Sequence, residues 1–236
     1  MKLYISILLS AFLFISCSEN EITCIRVSGT PEDVERDVEN FDRIFYNGVG
    51  KVTLTQDTEY KVTISAPPEV IETIETEVRD GELIVNFTRC FNGAPNLEMF
   101  ITMPDLVSFV MNGTGDIIGN GSWLTDSTHL EMNGTGDIIM DLQSLTSDIE
   151  ITGSGKIELT GKTFQSNVLT TGTGIFSAFV LESTQCDIVS NSTGNCEVTV
   201  LQTLNAELNG TGNVLYKGNP TVNQSGNGTG QVIDRN

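Results

Sequence analysis

An all-β solenoid, a parallel β-helix with coils of 18–21 residues, is predicted by two features of the chain: a glycine motif that recurs at that interval, and an inside/outside alternation flanking every copy. Asn-Gly-Thr-Gly-Asp-Ile stands at Asn112 to Ile117 and again, letter for letter, at Asn133 to Ile138. Weaker copies begin at Asn47, Thr152, Thr171, Asn191, Asn209 and Asn227. Four places before the first small residue stand Phe109, Leu130, Ile149, Val168, Ile188 and Ala206. Four places after it stand Ile117, Ile138, Ile157, Phe176, Cys196, Val214 and Val232. Even offsets point inward and odd offsets face water, the period of a strand. With one unit per coil, like positions stack at about 4.8 Å, and each interior side chain meets its equivalents above and below. Burying a side chain such as Ile138 is worth roughly 1.5–3 kcal/mol. That offsets chain ordering only when neighbours cover both faces, so a single coil does not fold alone.

Taken in order, Met1 to Ser16 has one positive residue, Lys2, and an apolar run from Leu3 to Ile15, the pattern of a secretory signal and too short for a membrane span. Phe14-Ile-Ser-Cys17 resembles a bacterial lipobox, which implies that Cys17 is lipidated and becomes the first residue of the exported chain, anchored to a membrane without spanning it. Residues 17–42 form an acidic lead-in, where Glu32, Asp33, Glu35, Asp37, Glu39 and Asp42 surround Arg36; a tether is expected there. A single β-helix domain is expected over 43–236, irregular from 43 to 105 and regular from 106 onward. Within the irregular part, residues 51–55, 60–65, 82–87 and 98–103 carry strand alternation, Asp80-Gly81 and Asn92-Gly93 are hairpin-type turns, and 70–78 fits a short helix as well as a strand.

Lys and Arg number 12 against 31 Asp and Glu, a formal charge of −19, so phosphate backbones are repelled and nucleic acid is excluded as a partner. Beyond Cys17 four cysteines remain, Cys24, Cys90, Cys186 and Cys196, which allow three pairings in an oxidising compartment. Cys186 and Cys196 share interior parity on either side of one turn; they pair or fill space as small hydrophobes. Cys24 with Cys90 would clip the lead-in to the first strands. None has metal-site spacing.

The lipobox-like start, the Ile74-to-Val85 segment Ile-Glu-Thr-Glu-Val-Arg-Asp-Gly-Glu-Leu-Ile-Val, the Ile-Thr-Met-Pro-Asp-Leu element at Ile101 to Leu106 and the Asn-Gly-Thr-Gly-Asp-Ile repeats together resemble the head GIN domain family of "putative auto-transporter adhesins" over roughly residues 42–233. The resemblance implies an exported envelope protein with a right-handed β-helix of pectate-lyase-like shape and without an accepted catalytic set.

Several chemistries fail on the residues. A glycine-rich phosphate cradle needs a helix after it, and each copy here runs into a strand. A calcium array needs an acid in each coil, but only Asp116 and Asp137 hold that place, and Lys156 follows them. His129, the single histidine, sits at an outward offset, and the repeats offer few basic residues to a lyase or hydrolase. Neither a cofactor nor a metal is expected. What recurs outward is a pair of columns, with Asn112, Asn133, Asn191 and Asn209 before the first small residue and Thr114, Thr135, Thr193 and Thr211 after it. These columns hold register by hydrogen bonding along the ladder, or form a strip that binds glycan or another surface protein. An adhesin-like surface protein is therefore the leading expectation, with a carbohydrate-binding or carbohydrate-degrading β-helix as the alternative. Both glycines of the motif have interior parity, which marks corners too tight for a side chain. Gly136→Ala is expected to cost more than Gly134→Ser, because Ser192 fills the latter place in one coil.

Overall fold

The computed structural model describes residues 24–236. The leader and Cys17 lie outside them. The order is β1 (Ile25–Arg26), β2 (Glu32–Arg36), β3 (Arg43–Asn47), β4 (Val49–Gln56), β5 (Lys61–Ala66), α1 (Pro68–Ile71), β6 (Ile74–Arg79), β7 (Glu82–Phe87), β8 (Phe91–Asn92) and β9 (Glu98–Met103). There follow β10 (Ser108–Met111), β11 (Thr114–Met132), β12 (Asp137–Ile151), β13 (Lys156–Thr170), β14 (Ile175–Ser190), β15 (Cys196–Leu208), β16 (Val214–Lys217), β17 (Thr221–Ser225) and β18 (Val232–Asp234). The result is an all-β solenoid of about seven turns.

From β10 to β18 every coil pairs in parallel with the next. One interior column runs Ile117, Ile138, Ile157, Phe176, Cys196, Val214, Val232 in unbroken register. Another runs Phe109, Leu130, Ile149, Val168, Ile188, Ala206, all buried. The inward parity of the even offsets is thus what closes the core. Coil length varies because register slips occur away from the glycine corner, between Ile118 and Ser122 and between Ala178 and Glu182. The corner itself stays in step.

The first end of the solenoid is built differently from a run of coils. β3 and β4 form a rung under β10 and β11, and β7 and β9 lie in parallel beneath them. The lowest rung is therefore later in sequence than the rung above it. Its open edges are covered by antiparallel strands, β6 on β7 and β5 on β9, with β2 antiparallel on β5. The sheet there ends on β2 and β6, short strands that carry Glu32, Asp33, Glu35, Glu75 and Glu77, and charged short edges of this kind discourage recruitment of other chains. The ambiguous segment 70–78 divides: Pro67 and Pro68 start a four-residue helix, and β6 follows.

The described part of the acidic lead-in, residues 24–42, is not a free tether, which corrects the expectation for that part; residues 17–23 lie outside the described residues. Cys24 is bonded to Cys90, β1 pairs with β8, and β2 joins the capping sheet. The backbone N–H groups of Ser28 and Gly29 each donate to Glu69 Oε1 at 2.7 Å, which holds the Glu69 carboxyl below its ordinary pKa. The acids are spaced so that Val34 turns inward between Asp33 and Glu35, enough alternation for an edge strand.

At the corners the rungs approach closely. A Cβ on Gly134 would fall 1.8 Å from the Gly113 carbonyl oxygen, and one on Gly136 would fall 2.0 Å from that of Gly115. Gly136 also has φ +125°, a region that L side chains avoid. Ser192 is tolerated where the ladder loosens: the Thr193 N–H to Gly172 O distance stretches to 3.4 Å. In the middle of the stack, serine at position 134 meets the same obstruction as alanine, so neither corner position accepts a side chain freely.

Thermal or chemical unfolding of Gly134→Ala is expected to show a loss of about 1–3 kcal/mol from the forced separation of rungs. Gly136→Ala should lose about 1–2 kcal/mol more, because it adds backbone strain to the same clash. Equal midpoints for the two variants would contradict this geometry.

Candidate functional site

The outward columns lie where the sequence put them. Asn112, Thr114, Asn133, Thr135, Asn191, Thr193, Asn209 and Thr211 are all exposed on the glycine corner. Their polar groups are largely used along the stack. Asn133 Nδ2 donates to Asn112 Oδ1 at 2.8 Å, Asn209 Nδ2 to Asn191 Oδ1 at 3.0 Å, and Thr152 Oγ1 to Asn133 Oδ1. Thr135 Oγ1 donates to Thr114 Oγ1 at 3.3 Å. The acidic place of the motif serves the ladder too: Asp116 Oδ1 accepts the Asp137 backbone N–H at 3.1 Å, and Asn195 and Asn213 repeat the contact with the rungs above. Lys156 stands 4.0 Å from Asp137 but only 2.6 Å from Glu158, and the Glu158 contact raises its pKa.

A second polar surface escaped the sequence reading. It lies on the flat face that precedes the corner, where strands β11 to β15 and β17 align His129, Asp148, Asn167, Asp187, Asn205 and Asn223 in one column. Asn167 Nδ2 donates to Asp148 Oδ1 at 2.6 Å and Asn205 Nδ2 to Asp187 Oδ1 at 2.6 Å. Beside it runs a mixed column, Glu131, Glu150, Leu169, Val189, Glu207 and Ser225, in the same register. Two shallow grooves of about 300 Å³ each lie on this face and share Asp187 and Val189. The signal was available: odd offsets repeat as faithfully as even ones, and these residues fall five and three places before the first small residue.

A larger cavity, about 680 Å³, lies at the disulfide-clipped end. Phe87, Phe91, Ala94 and Pro95 line it with the corner backbone at Gly48 and Gly50, and Arg89 is its charged member. At the other sequence-predicted positions, the Cys186–Cys196 pair is not formed. Both are buried free thiols. Cys186 stacks between Ser166 and Leu204 on the flat face, while Cys196 stacks between Phe176 and Val214 beyond the corner, so the two side chains belong to different sides of the coil. Burial pushes both thiols up, that of Cys196 to about 12.

Three comparisons place this geometry among known proteins. A family described as "Putative auto-transporter adhesin, head GIN domain" matches residues 40–220. The chain is similar in structure to a putative adhesin from Bacteroides fragilis, with TM-score 0.84, 22% identity, and coverage of 89% of this chain and 100% of that one. It is also similar to a putative lipid binding protein from Parabacteroides distasonis, with TM-score 0.72, 20% identity, and coverage of 91% and 100%. At these identities the likeness concerns the fold. Curated proteins give no match.

Because only the thiolate reacts, and burial disfavours it, Cys186 and Cys196 should resist iodoacetamide in the native protein and both react once it is denatured without reductant. Cys24 and Cys90 should become reactive only after reduction as well. Mass spectrometry of the alkylated peptides reads this directly, and labelling of Cys186 under native conditions would contradict its placement.

Proposed function

The chain belongs to the head GIN domain family of putative auto-transporter adhesins, and from that premise we propose that it is a non-enzymatic surface-interaction protein whose contact surface is the flat face beside the Asn corner. The observation that carries the reading is the composition and pitch of that face. Columns of amides and carboxylates at about 4.8 Å intervals flank Leu169 and Val189, and Val189 is 36% exposed. Glycans present hydroxyls together with apolar ring faces, and such a surface offers partners to both. The ladder bonds hold these side chains in place before contact, so little ordering cost is added on binding. The net charge of −19 disfavours acidic polymers, so neutral polysaccharide is the ligand class that fits.

In this reading the protein is exported and held at the bacterial outer membrane through a lipid on Cys17. The Asn112, Asn133, Asn191 and Asn209 column serves as the border of the contact face. Its threonine partners, Thr114, Thr135, Thr193 and Thr211, keep rungs in register. No cofactor takes part.

Solid-phase binding to a panel of neutral polysaccharides tests the proposal. Asn167→Trp with Asn205→Trp is expected to weaken binding by more than about tenfold, equivalent to about 1.4 kcal/mol, with a modest fall in the unfolding midpoint, because Asn205 is exposed and Asn167 half-buried and each gives up a ladder hydrogen bond, to Asp187 and Asp148 respectively. Bulky replacements at Asn112 and Asn133 should also reduce binding. Binding unchanged in both variant sets would remove this face from consideration.

A further inference from the structure

We propose that His129, Glu131 and Glu150 form a surface zinc site. The parallel ladder sets Glu131 directly opposite Glu150 on adjacent rungs, and places His129 two residues before Glu131 on the same outward face. Like charges held opposite one another at rung spacing are destabilising. Among the described residues, neither carboxylate has a lysine or arginine within ion-pair distance; His129 Nε2 stands 3.4 Å from Glu131 Oε2. The candidate ligand atoms of all three side chains lie within 4.8 Å of one another. Around a tetrahedral zinc with bonds of about 2.0–2.1 Å, neighbouring ligand atoms stand about 3.4 Å apart. Small side-chain rotations would bring the three to that spacing without moving the backbone.

The donor set selects the ion. One imidazole nitrogen with two carboxylate oxygens suits zinc better than calcium or magnesium, which favour oxygen donors throughout. Two carboxylates beside a divalent cation also cancel the local repulsion. Asn133 Nδ2 donates to Glu131 Oε1, an outer contact of the kind that orients a ligating carboxylate. Asp148, opposite His129, is engaged by Asn167 and is not counted as a ligand. The side chains of His129 and Glu131 remain 36% and 25% exposed, so three protein donors leave a coordination position open to solvent. Cys186 and Cys196 are buried and do not compete for the ion.

Isothermal titration of zinc chloride into the purified protein, paired with thermal unfolding in the same solutions, tests the assignment. One site is expected, with a higher unfolding midpoint in zinc. His129→Ala and Glu150→Gln should each weaken binding by more than about tenfold and lose the rise in midpoint; without zinc the His129→Ala midpoint stays near wild type, and that of Glu150→Gln is at or above it, because one of the two facing carboxylates is neutralised. Asp126→Asn, an exposed acid elsewhere, should bind as wild type does. The proposal fails if the wild type shows neither heat nor a shift, if either ligand variant retains wild-type affinity, or if calcium binds as tightly as zinc.

Discussion

At the glycine corners of the regular coils, with Ser192 the one exception at the first position, the carbonyl oxygen of one rung occupies the space that a side chain on the next rung would need. That contact sets the rest of the molecule. Gly113, Gly134 and Gly153 lie one above another, with the Cβ of each excluded by the oxygen below it. The corner therefore fixes where every coil begins, and because side chains alternate with a period of two, it also fixes which residues face the core. Coils of different length stay in step because their extra residues are taken up at register slips on other sides. An interior column such as Ile117, Ile138, Ile157 and Phe176 follows from that phase and needs no separate specification.

The same phase organises the surface. A solenoid that repeats its interior also repeats its exterior, so exposed side chains become columns rather than scattered groups. On the glycine corner the columns are mostly occupied with one another, as the Asn112–Asn133 and Asn191–Asn209 bonds show. On the neighbouring flat face they flank grooves and bring His129, Glu131 and Glu150 together from two coils. Placement on a rigid ladder holds such groups in fixed relation, a condition for both recognition and metal ligation.

Much of this was legible in the sequence, and the limits have physical causes. The strands at 82–87 and 98–103 were found residue for residue because local alternation is strong there. The cap was not found: β2 pairs with β5 and β6 with β7 in antiparallel fashion, and the rung holding β7 and β9 lies beneath one that precedes it in the chain. Long-range pairing of that kind leaves no periodic trace. The polar interior column of Thr128, Ser147 and Ser166, by contrast, follows from the repeat: each lies six places before the first small residue, an inward offset, although hydroxyl side chains by themselves read as surface residues. On the site, the Asn and Thr columns were visible from the motif. The flat face was overlooked because Glu131 and Glu150 become neighbours only once the outward offsets are aligned between coils.

Excision of one whole coil, Gly153 to Thr171, tests most directly whether corner stacking defines the fold. The deletion joins Thr152 to Gly172 and sets Gly172 on Gly134 as Gly153 was before. The account predicts a shorter, soluble, β-rich protein that unfolds in a single cooperative transition, whereas removal of Gly153 to Lys162 alone, which leaves the corners out of step, yields no folded protein. An unfolded whole-coil deletion, or a half-coil deletion that folds as well as the wild type, would contradict it.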